Sequence, residues 1–404
     1  MNKLNDITSL FDTTNILNIE NFYIDSNDTI LKYLLNKINL KSRSLCQFIS
    51  GHKGSGKTAF LNKLKIELEN QNYFVVYCDM KTLINIYDFN YVDLMLALLK
   101  KTTEVLADKE IYLYYTSLGN INLSELKDMI PFKTLDFNLK FSMISDYIKY
   151  SDFLKSKVRY VFDAQAITFL SSIKEVLNQI KIKLNNNNYK DLIIIIDGLD
   201  HIVMPNKNDP DNLEQILFNK SMFLKEIDTD LIINLPLYYY FSANSNNLCN
   251  HWQESLLYFP VSRHTNNNET AVEASYHFLT DVIKKRLSSV KKDIASVFSD
   301  EYLNKALYYS AGNTGQLFKI IYESLIIKNS LPLEADDIYE PVKLLKHDLI
   351  RSVSADKLQQ LITLAENPEQ FDPVNNSDLL NKGFIFYYPD QKIQFILNPV
   401  LKDF

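Results

Sequence analysis

The feature that most constrains this chain is an eight-residue glycine-rich segment, 51–58, which reads GHKGSGKT and fits the pattern GxxxxGK followed by Ser or Thr. An apolar run at 44–50 ends directly before it, and the residues after it place Leu61, Leu64 and Leu68 on one helical face. Strand, loop and helix in this order predict an α/β fold with a parallel sheet and a phosphate-binding loop. The alternative is a chance glycine-rich turn, which does not explain why motif, strand and helix agree.

The chemistry of this segment suits the phosphates of a nucleotide. Glycines let successive backbone N–H groups turn inward around phosphate oxygens, and the following helix N-terminus adds a favourable potential. Lys57 is placed to reach the β- and γ-phosphates, and the Thr58 hydroxyl is placed to ligate magnesium. ATP is favoured over GTP because no clear Asn/Thr-Lys-x-Asp segment near a strand end reads guanine. The predicted nucleotide contacts are Gly51, His52, Lys53, Gly54, Ser55, Gly56, Lys57, Thr58 and Ala59.

A second apolar strand with an acid at its end supplies the partner of the glycine-rich segment. Residues 191–200 read DLIIIIDGLD, and four consecutive isoleucines are typical of a central strand that is covered on both faces. Asp197 follows them, at the strand end that faces the phosphates, and its hard carboxylate is suited to hold magnesium together with Thr58. The alternative is that Asp197 only caps a turn.

The group that activates water is less well defined. In many hydrolysing P-loop enzymes an acid follows the metal-binding aspartate directly, but Gly198 occupies that place here, so Asp200 is the nearest carboxylate. Asp200 is therefore a candidate general base or water-positioning residue, and a turn or helix cap is its alternative role.

The rest of the chain predicts further elements of a nucleotide-binding core and two C-terminal units. Apolar runs predict strands at 73–78 and 231–235, and alternating apolar residues predict another at 135–143 within a largely helical insertion. The predicted units are a lead-in at 1–44, a P-loop core at 45–265 with an insertion at about 88–179, a helical lid at 266–346, and a winged-helix-like domain at 347–404.

Composition excludes several classes of protein. The net charge is −6, which argues against general DNA binding, and three widely spaced cysteines fit neither a disulfide framework nor a zinc site. The first fifteen residues lack the features of a signal peptide, and no apolar run approaches the roughly 20 residues that span a bilayer. The sequence therefore predicts a cytoplasmic protein without a membrane partner.

The two nucleotide motifs also carry a family resemblance. GHKGSGKTAFL at 51–61 with IIIIDGLDHI at 193–202 resembles the STAND and AAA+ branch of P-loop ATPases, and the spacing of Gly198 and Asp200 after Asp197 is similar to the NACHT form. SYHFLTDVIKKRL at 275–287 and YSAGNTGQLF at 309–318 resemble the helical lid of origin-recognition ATPases.

This resemblance implies a nucleotide-controlled switch that binds ATP and magnesium, hydrolyses ATP slowly, and assembles with itself or with a protein partner. Many bacterial proteins of this type belong to anti-phage defence systems. The resemblance also implies that Asn234 senses the γ-phosphate or the attacking water, whereas a simple cap of its own backbone is the alternative.

Two departures from the family pattern concern the C-terminal half. Related lids carry an Arg after the Gly-Asn pair, but Thr314 stands there, and Lys319 or Arg286 would have to replace it. STAND winged helices often present a His to the phosphates of bound ADP, whereas this chain offers Asn398. Both departures are compatible with slow or absent hydrolysis.

Three further hypotheses concern function. Arg263 is placed where an arginine finger would act on a neighbouring subunit, and an ordinary surface Arg is the alternative. A DNA-associated ATPase of the origin-recognition or transposition-helper type is the rival reading, but residues 347–404 have a charge balance of −3. The only local basic run, at 284–292, is also explained by a solvated helix face. A metabolic kinase or a GTPase is a third reading.

Overall fold

The computed structural model describes nine stretches of the chain, which are 3–13, 22–24, 28–113, 152–202, 212–262, 269–351, 353–366, 371–389 and 394–402. The predicted strand at 135–143, Arg263 and most of the predicted boundary at 264–269 lie outside these residues. None of the helices within the nine stretches is both long enough and apolar enough to cross a membrane.

A five-stranded parallel sheet forms the centre of the molecule. Its strands are β1 (Cys46–Ser50), β2 (Phe74–Asp79), β3 (Leu192–Asp197), β4 (Asp230–Leu235) and β5 (Leu256–Tyr258). They lie in the order β2-β3-β4-β1-β5, and every pair is parallel. The predicted α/β P-loop fold is confirmed. β1 and β2 are successive in the chain, yet two other strands lie between them.

The isoleucine strand is central because both of its faces are covered. All six residues of β3 are buried. Ile194 and Ile196 pack into the larger core cluster on one face, and Ile193 and Ile195 pack into a second cluster on the other face. β-Branched side chains suit this pleated environment.

Helices cover the two faces of the sheet. The second cluster contains residues of α2 (Asp28–Leu40) and α3 (Lys57–Asn70), which follows the glycine-rich segment. α4 (Met80–Leu83) follows β2 directly. The opposite face carries α5 (Tyr91–Asp108), α6 (Asp152–Ala164) and α7 (Ala166–Asn186). The described helices of the predicted insertion therefore form one layer of the core.

Shorter helices complete the core. A 3₁₀ turn at Leu199–His201 follows β3, and the helices α8 (Asn212–Leu217) and α9 (Met222–Lys225) lead to β4. β4 is followed by α10 (Leu237–Phe241) and α11 (Ser245–Trp252). The four asparagines at 185–188 form a polar run, which is typical of a loop, but α7 continues to Asn186 and only Asn187 and Asn188 leave the helix. Asn188 turns the chain with φ +64°.

A second, helical core lies C-terminal to the sheet. It comprises α12 (Glu269–Ser288), α13 (Asp300–Ser310), α14 (Thr314–Lys328), a 3₁₀ turn (Ala335–Ile338) and α15 (Tyr339–Ile350), which we call the lid helices. Together with α1 (Lys3–Phe11) they enclose one apolar cluster.

The basic run in α12 is partly used inside the molecule. The guanidinium of Arg286 lies 4.0 Å from the centre of the Phe318 ring and donates to Leu10 O. Lys285 Nζ donates to Tyr23 O at 2.5 Å. These side chains hold N-terminal segments against the lid helices, so the run is not one uniformly solvated face.

The C-terminal unit is small and packs on both other parts. It consists of α16 (Ala355–Glu366), α17 (Ser377–Asn381), the antiparallel pair β6 (Ile385–Tyr388) and β7 (Gln394–Leu397), and a 3₁₀ turn (Pro399–Leu401). Its apolar side chains share a cluster with Leu237 and Phe241 of α10. Tyr258 of β5 also donates its hydroxyl to Tyr387 O at 2.9 Å. The hairpin β6–β7 is therefore held at the end of the sheet where the glycine-rich segment lies.

Candidate nucleotide-binding site

The glycine-rich segment forms the loop between β1 and α3. Gly54 and Gly56 have φ values of +79° and +99°, a region that glycine enters without strain. A Cβ atom on Gly51 would lie 2.4 Å from Phe259 O, so the close approach of this backbone carbonyl leaves room only for glycine at position 51. A Cβ atom on Gly56 would meet no atom within 4 Å, which shows open space beside the loop. The loop is followed by the free N–H groups of the first turn of α3.

Lys57 begins α3 and turns back over the loop. Its ammonium donates to Gly51 O and His52 O, each at 2.8 Å, and lies 3.0 Å from Asp200 Oδ2. The side chain is only 4 % exposed. All three ammonium hydrogens therefore have acceptors within the protein.

Asp200 lies in the 3₁₀ turn after β3 and points toward the glycine-rich loop. Burial alone would raise the pKa of its carboxyl, but the nearby charges of Lys57, His201 and Lys53 outweigh it and lower the pKa. Asp200 therefore remains ionised beside Lys57. The structure therefore places this carboxylate both in the turn after β3 and beside the lysine of the glycine-rich loop.

Asp197 lies at the end of β3 and collects four hydrogen bonds. Its Oδ1 accepts from Asn234 Nδ2 at 2.6 Å and from Gly198 N at 2.7 Å. Its Oδ2 accepts from Thr58 Oγ1 at 2.8 Å and from the Tyr77 hydroxyl at 2.5 Å. The predicted metal-binding pair, Thr58 and Asp197, is thus in direct contact.

Tyr77 is a site residue that the sequence pattern does not identify. The run at 73–78 predicts a buried strand, but a strand pattern does not show which of its side chains reaches the end of the neighbouring strand. Tyr77 pairs in the sheet with Ile195, which lies two residues before Asp197. The Tyr77 side chain is long enough to reach from this position to the Asp197 carboxylate. Burial and the charge of Asp197 raise its pKa, so the hydroxyl keeps its proton.

Asn234 lies on β4, beside β3, and is fully buried. Its amide donates to Asp197 instead of capping its own backbone. Its Oδ1 is buried and finds no hydrogen-bond partner in the described part of the chain. An acceptor is thus available next to the aspartate that is predicted to hold the metal.

The lid helices contact the glycine-rich loop through its backbone. Asn313 Nδ2 donates to Lys53 O at 2.7 Å, and Gly315 N donates to Gly54 O at 2.9 Å. The approach is close, because a Cβ atom on Gly315 would lie 2.7 Å from the Cα atom of Gly54. The Gly-Asn segment therefore touches the loop by backbone and amide groups.

The C-terminal unit contacts the same loop through a histidine. His52 Nε2 accepts a hydrogen bond from Tyr387 N at 3.0 Å, although the two residues are 335 positions apart. Burial, and then the charge of Lys57, lower the pKa of His52 from 6.5 to about 3. The imidazole is neutral at ordinary pH, and its Nε2 is free of a proton and able to accept.

The other residues discussed for the C-terminal half have local partners. Asn398 and Gln316 exchange two amide hydrogen bonds of 3.0 Å each, and Asn398 also donates to Gly383 O. Lys319 pairs with Asp348 at 3.1 Å, and Arg286 is held at Leu10. None of Asn398, Lys319 and Arg286 makes a described contact with the glycine-rich loop.

The residues present fit a nucleoside triphosphate with magnesium. The hydroxyl of Ser55 is buried without a hydrogen-bond partner among the described residues, and Gly56 borders open space. A hydroxyl and a carboxylate are the hard oxygen ligands that magnesium takes together with phosphate oxygens. Thr58 and Asp197 would hold the ion, which would neutralise phosphate charge, and Lys57 would meet the phosphates themselves.

Comparison with known proteins agrees with this geometry at the level of the fold. Residues 27–208 match the KAP family P-loop domain. This chain therefore contains a P-loop NTPase domain, in a parallel-sheet α/β fold. A search of curated proteins gives no match.

Similar solved structures include Cdc6p from Pyrobaculum aerophilum, with 11% identity, a TM-score of 0.45 and coverage of 96% of this chain and 93% of that one. The Aeropyrum pernix ORC2 protein in its ADPNP-ADP complexes has 11% identity, a TM-score of 0.42 and coverage of 97% and 93%. A Thermotoga maritima RuvB variant has 12% identity, a TM-score of 0.38 and coverage of 94% and 93%.

Proposed function

We propose that this protein is an ATP-binding switch in which the state of the phosphate site is passed to the lid helices and the C-terminal unit. One observation carries the proposal: three consecutive residues of the glycine-rich loop, at 52–54, each contact the C-terminal half of the chain. The same loop would hold the phosphates, so nucleotide binding would be linked to the arrangement of the C-terminal half.

Nucleotide binding itself rests on Lys57, Thr58 and Asp197. The charge of Lys57 is balanced by Asp200, 3.0 Å away. The γ-phosphate carries more charge than one carboxylate, so it would take the lysine from Asp200. Asp200 is then released next to the γ-phosphate, where a carboxylate can orient a water molecule.

Slow hydrolysis is the activity that the remaining residues support. Asn234 offers a buried oxygen that can accept from water, and it steadies Asp197 at the same time. Asn313 and Gly315 of the lid supply contacts to the loop backbone, whereas neither Lys319 nor Arg286 brings a cation to it. An arginine supplied by a neighbouring molecule, with Arg263 as the candidate, would then be needed for fast turnover.

The partner of this switch is proposed to be a protein, either a second copy of the chain or another component of a bacterial anti-phage system. This part of the proposal rests on the resemblance to STAND proteins. The DNA-associated alternative has less support, because Lys285 and Arg286 of the basic run are engaged within the molecule. A salt-dependent gel shift with duplex DNA would restore that alternative.

The test combines binding with a measurement of the C-terminal contacts. A fluorescent ATP analogue is titrated with magnesium into the wild type, into Lys57→Ala and into Lys63→Ala. Lys63 is the matched control, since it lies on the same helix and pairs with Glu67 at the surface. Only Lys57→Ala should lose binding.

Hydrogen exchange then reports on the coupling. Amides at 309–318 and 385–388 should change their exchange rates when ATP is added to the wild type, and they should not change in Lys57→Ala. Binding without any change at these two segments would contradict the switch, and absence of binding in the wild type would contradict the nucleotide site. Mass measurement with and without ATP tests assembly.

A further inference from the structure

Four hydrogen bonds use all the acceptor positions of the Asp197 carboxylate. An ionised carboxylate offers about four lone-pair positions. Two on Oδ1 are used by Asn234 and the Gly198 amide, and two on Oδ2 are used by Thr58 and Tyr77. A magnesium ion held by Asp197 would need one of these acceptor positions, so one of the four donors would have to leave.

Of the four donors, Tyr77 is the one that has room to move. The Gly198 amide is fixed by the backbone next to Asp197, and Asn234 is fully buried within β4. Thr58 can keep donating its hydrogen to Asp197 while its oxygen faces the metal.

Tyr77, in contrast, borders an open space. It lines a cleft of about 380 Å³ between α3, α5 and the edge strand β2. Lys65 and Lys101 line the same cleft from the two helices. Asn62 also lines this cleft and interacts with the Tyr77 hydroxyl, so a rotation of the phenol toward the cleft would separate the hydroxyl from Asp197 and leave it a polar partner.

We propose that the Tyr77 hydroxyl occupies, on Asp197 Oδ2, the acceptor position that magnesium binding requires, and that it leaves this oxygen when the metal enters. Tyr77 is in this sense a positioning residue: it orients the carboxylate of Asp197 and competes with the metal for Oδ2. The inference rests on the proposed nucleotide site. It adds that the magnesium concentration required for nucleotide binding depends on Tyr77, which lies outside both nucleotide motifs.

The test is the magnesium dependence of nucleotide binding in Tyr77→Phe. A fluorescent ATP analogue at fixed concentration is titrated with MgCl₂, and the midpoint concentration is recorded. Loss of one hydrogen bond to a charged acceptor should lower the midpoint by about tenfold. Binding of the analogue in EDTA should stay unchanged, because Tyr77 does not contact the glycine-rich loop. Tyr77→Leu, which also lacks the hydroxyl, should lower the midpoint in the same direction.

The matched control is Tyr73→Phe. Tyr73 directly precedes β2, far from Asp197, and its hydroxyl donates to Asn39 of α2 at 3.1 Å. Removal of this hydroxyl should therefore leave the midpoint unchanged. A midpoint that is unchanged or higher in Tyr77→Phe would overturn the inference. A wild type that binds no analogue at any magnesium concentration would instead contradict the proposed function, so the two failures can be distinguished.

Discussion

The ammonium of Lys57 lies 3.0 Å from a carboxylate oxygen of Asp200, and both side chains are buried. The residue that is predicted to meet the phosphates is thus already paired with an internal anion. Under the proposed function, a nucleotide would have to displace Asp200 before its phosphates could contact Lys57. The pair should therefore lower the affinity for ATP while it contributes to the stability of the fold.

Asp200→Asn should bind ATP more tightly and hydrolyse it more slowly. The neutral amide holds Lys57 less well, so affinity should rise by roughly tenfold, and the unfolding free energy of the empty protein should fall by about 1–3 kcal/mol. Titration of a fluorescent analogue, single-turnover hydrolysis and urea unfolding measure the three effects.

The control for this variant is Asp191→Asn, which changes the net charge equally but lies before β3, at the far end of the strand, paired with Lys41 and Lys181. It should leave the affinity for ATP unchanged. A lower affinity in Asp200→Asn would show that this carboxylate works with the nucleotide instead of against it.

The contact between His52 and Tyr387 predicts a stability that depends on pH. The pKa of His52 falls from 6.5 to about 3 on folding. The unfolded chain therefore binds the proton more readily between these values, so stability is lost as the pH drops below 6.5. The slope from this one group is about 1.4 kcal/mol per pH unit.

Urea unfolding at several pH values from 7 to 4 measures this dependence. His52→Gln can still accept from the Tyr387 amide but does not titrate, so its unfolding free energy should fall less steeply than that of the wild type. His347→Gln, at an exposed position of α15, is the control and should keep the wild-type slope. Equal slopes in His52→Gln and the wild type would contradict the buried neutral imidazole.

Gly315→Ala should separate the lid helices from the glycine-rich loop. The added Cβ atom would lie 2.7 Å from Gly54 Cα, so one of the two backbones has to move. We expect a loss of about 1–3 kcal/mol in unfolding free energy and faster hydrogen exchange at 309–318.

Gly383→Ala serves as its comparison. Its Cβ atom would meet no atom within 4 Å, but its φ of +78° makes the substitution cost about 1–2 kcal/mol through backbone strain. Both variants therefore lose stability, and only Gly315→Ala should change exchange at the lid segment. Unchanged exchange at 309–318 in Gly315→Ala would show that this contact does not protect the lid segment.

Asn234→Ala tests whether this side chain serves the reaction. Loss of a preorganised polar group should reduce the single-turnover rate of hydrolysis by about a hundredfold, while ATP is still bound. Stability should fall by about 1–3 kcal/mol, because Asp197 loses a buried donor. An unchanged rate, measured at a temperature where the variant is folded, would leave Asn234 with a structural role only.

Local features of the sequence determined the parallel α/β fold and the residues that meet in its centre. Glycines at 54 and 56, an apolar strand before them and an amphipathic helix after them specify one loop, because each acts through neighbouring residues and their backbone preferences. The carboxyl ends of parallel strands meet at one edge of the sheet, so the sequence predicts that Thr58 and Asp197 lie close together. In the structure the Thr58 hydroxyl donates to Asp197 Oδ2 at 2.8 Å.

Tertiary structure alone decided the partners of these residues. The strand order, with β3 and β4 between β1 and β2, brings Asn234 and Tyr77 to the two sides of Asp197. The packing of the C-terminal hairpin brings Tyr387 to His52. Such contacts join residues far apart in the chain. They depend on how whole elements bury their apolar faces against each other, and no local pattern of residues encodes that arrangement.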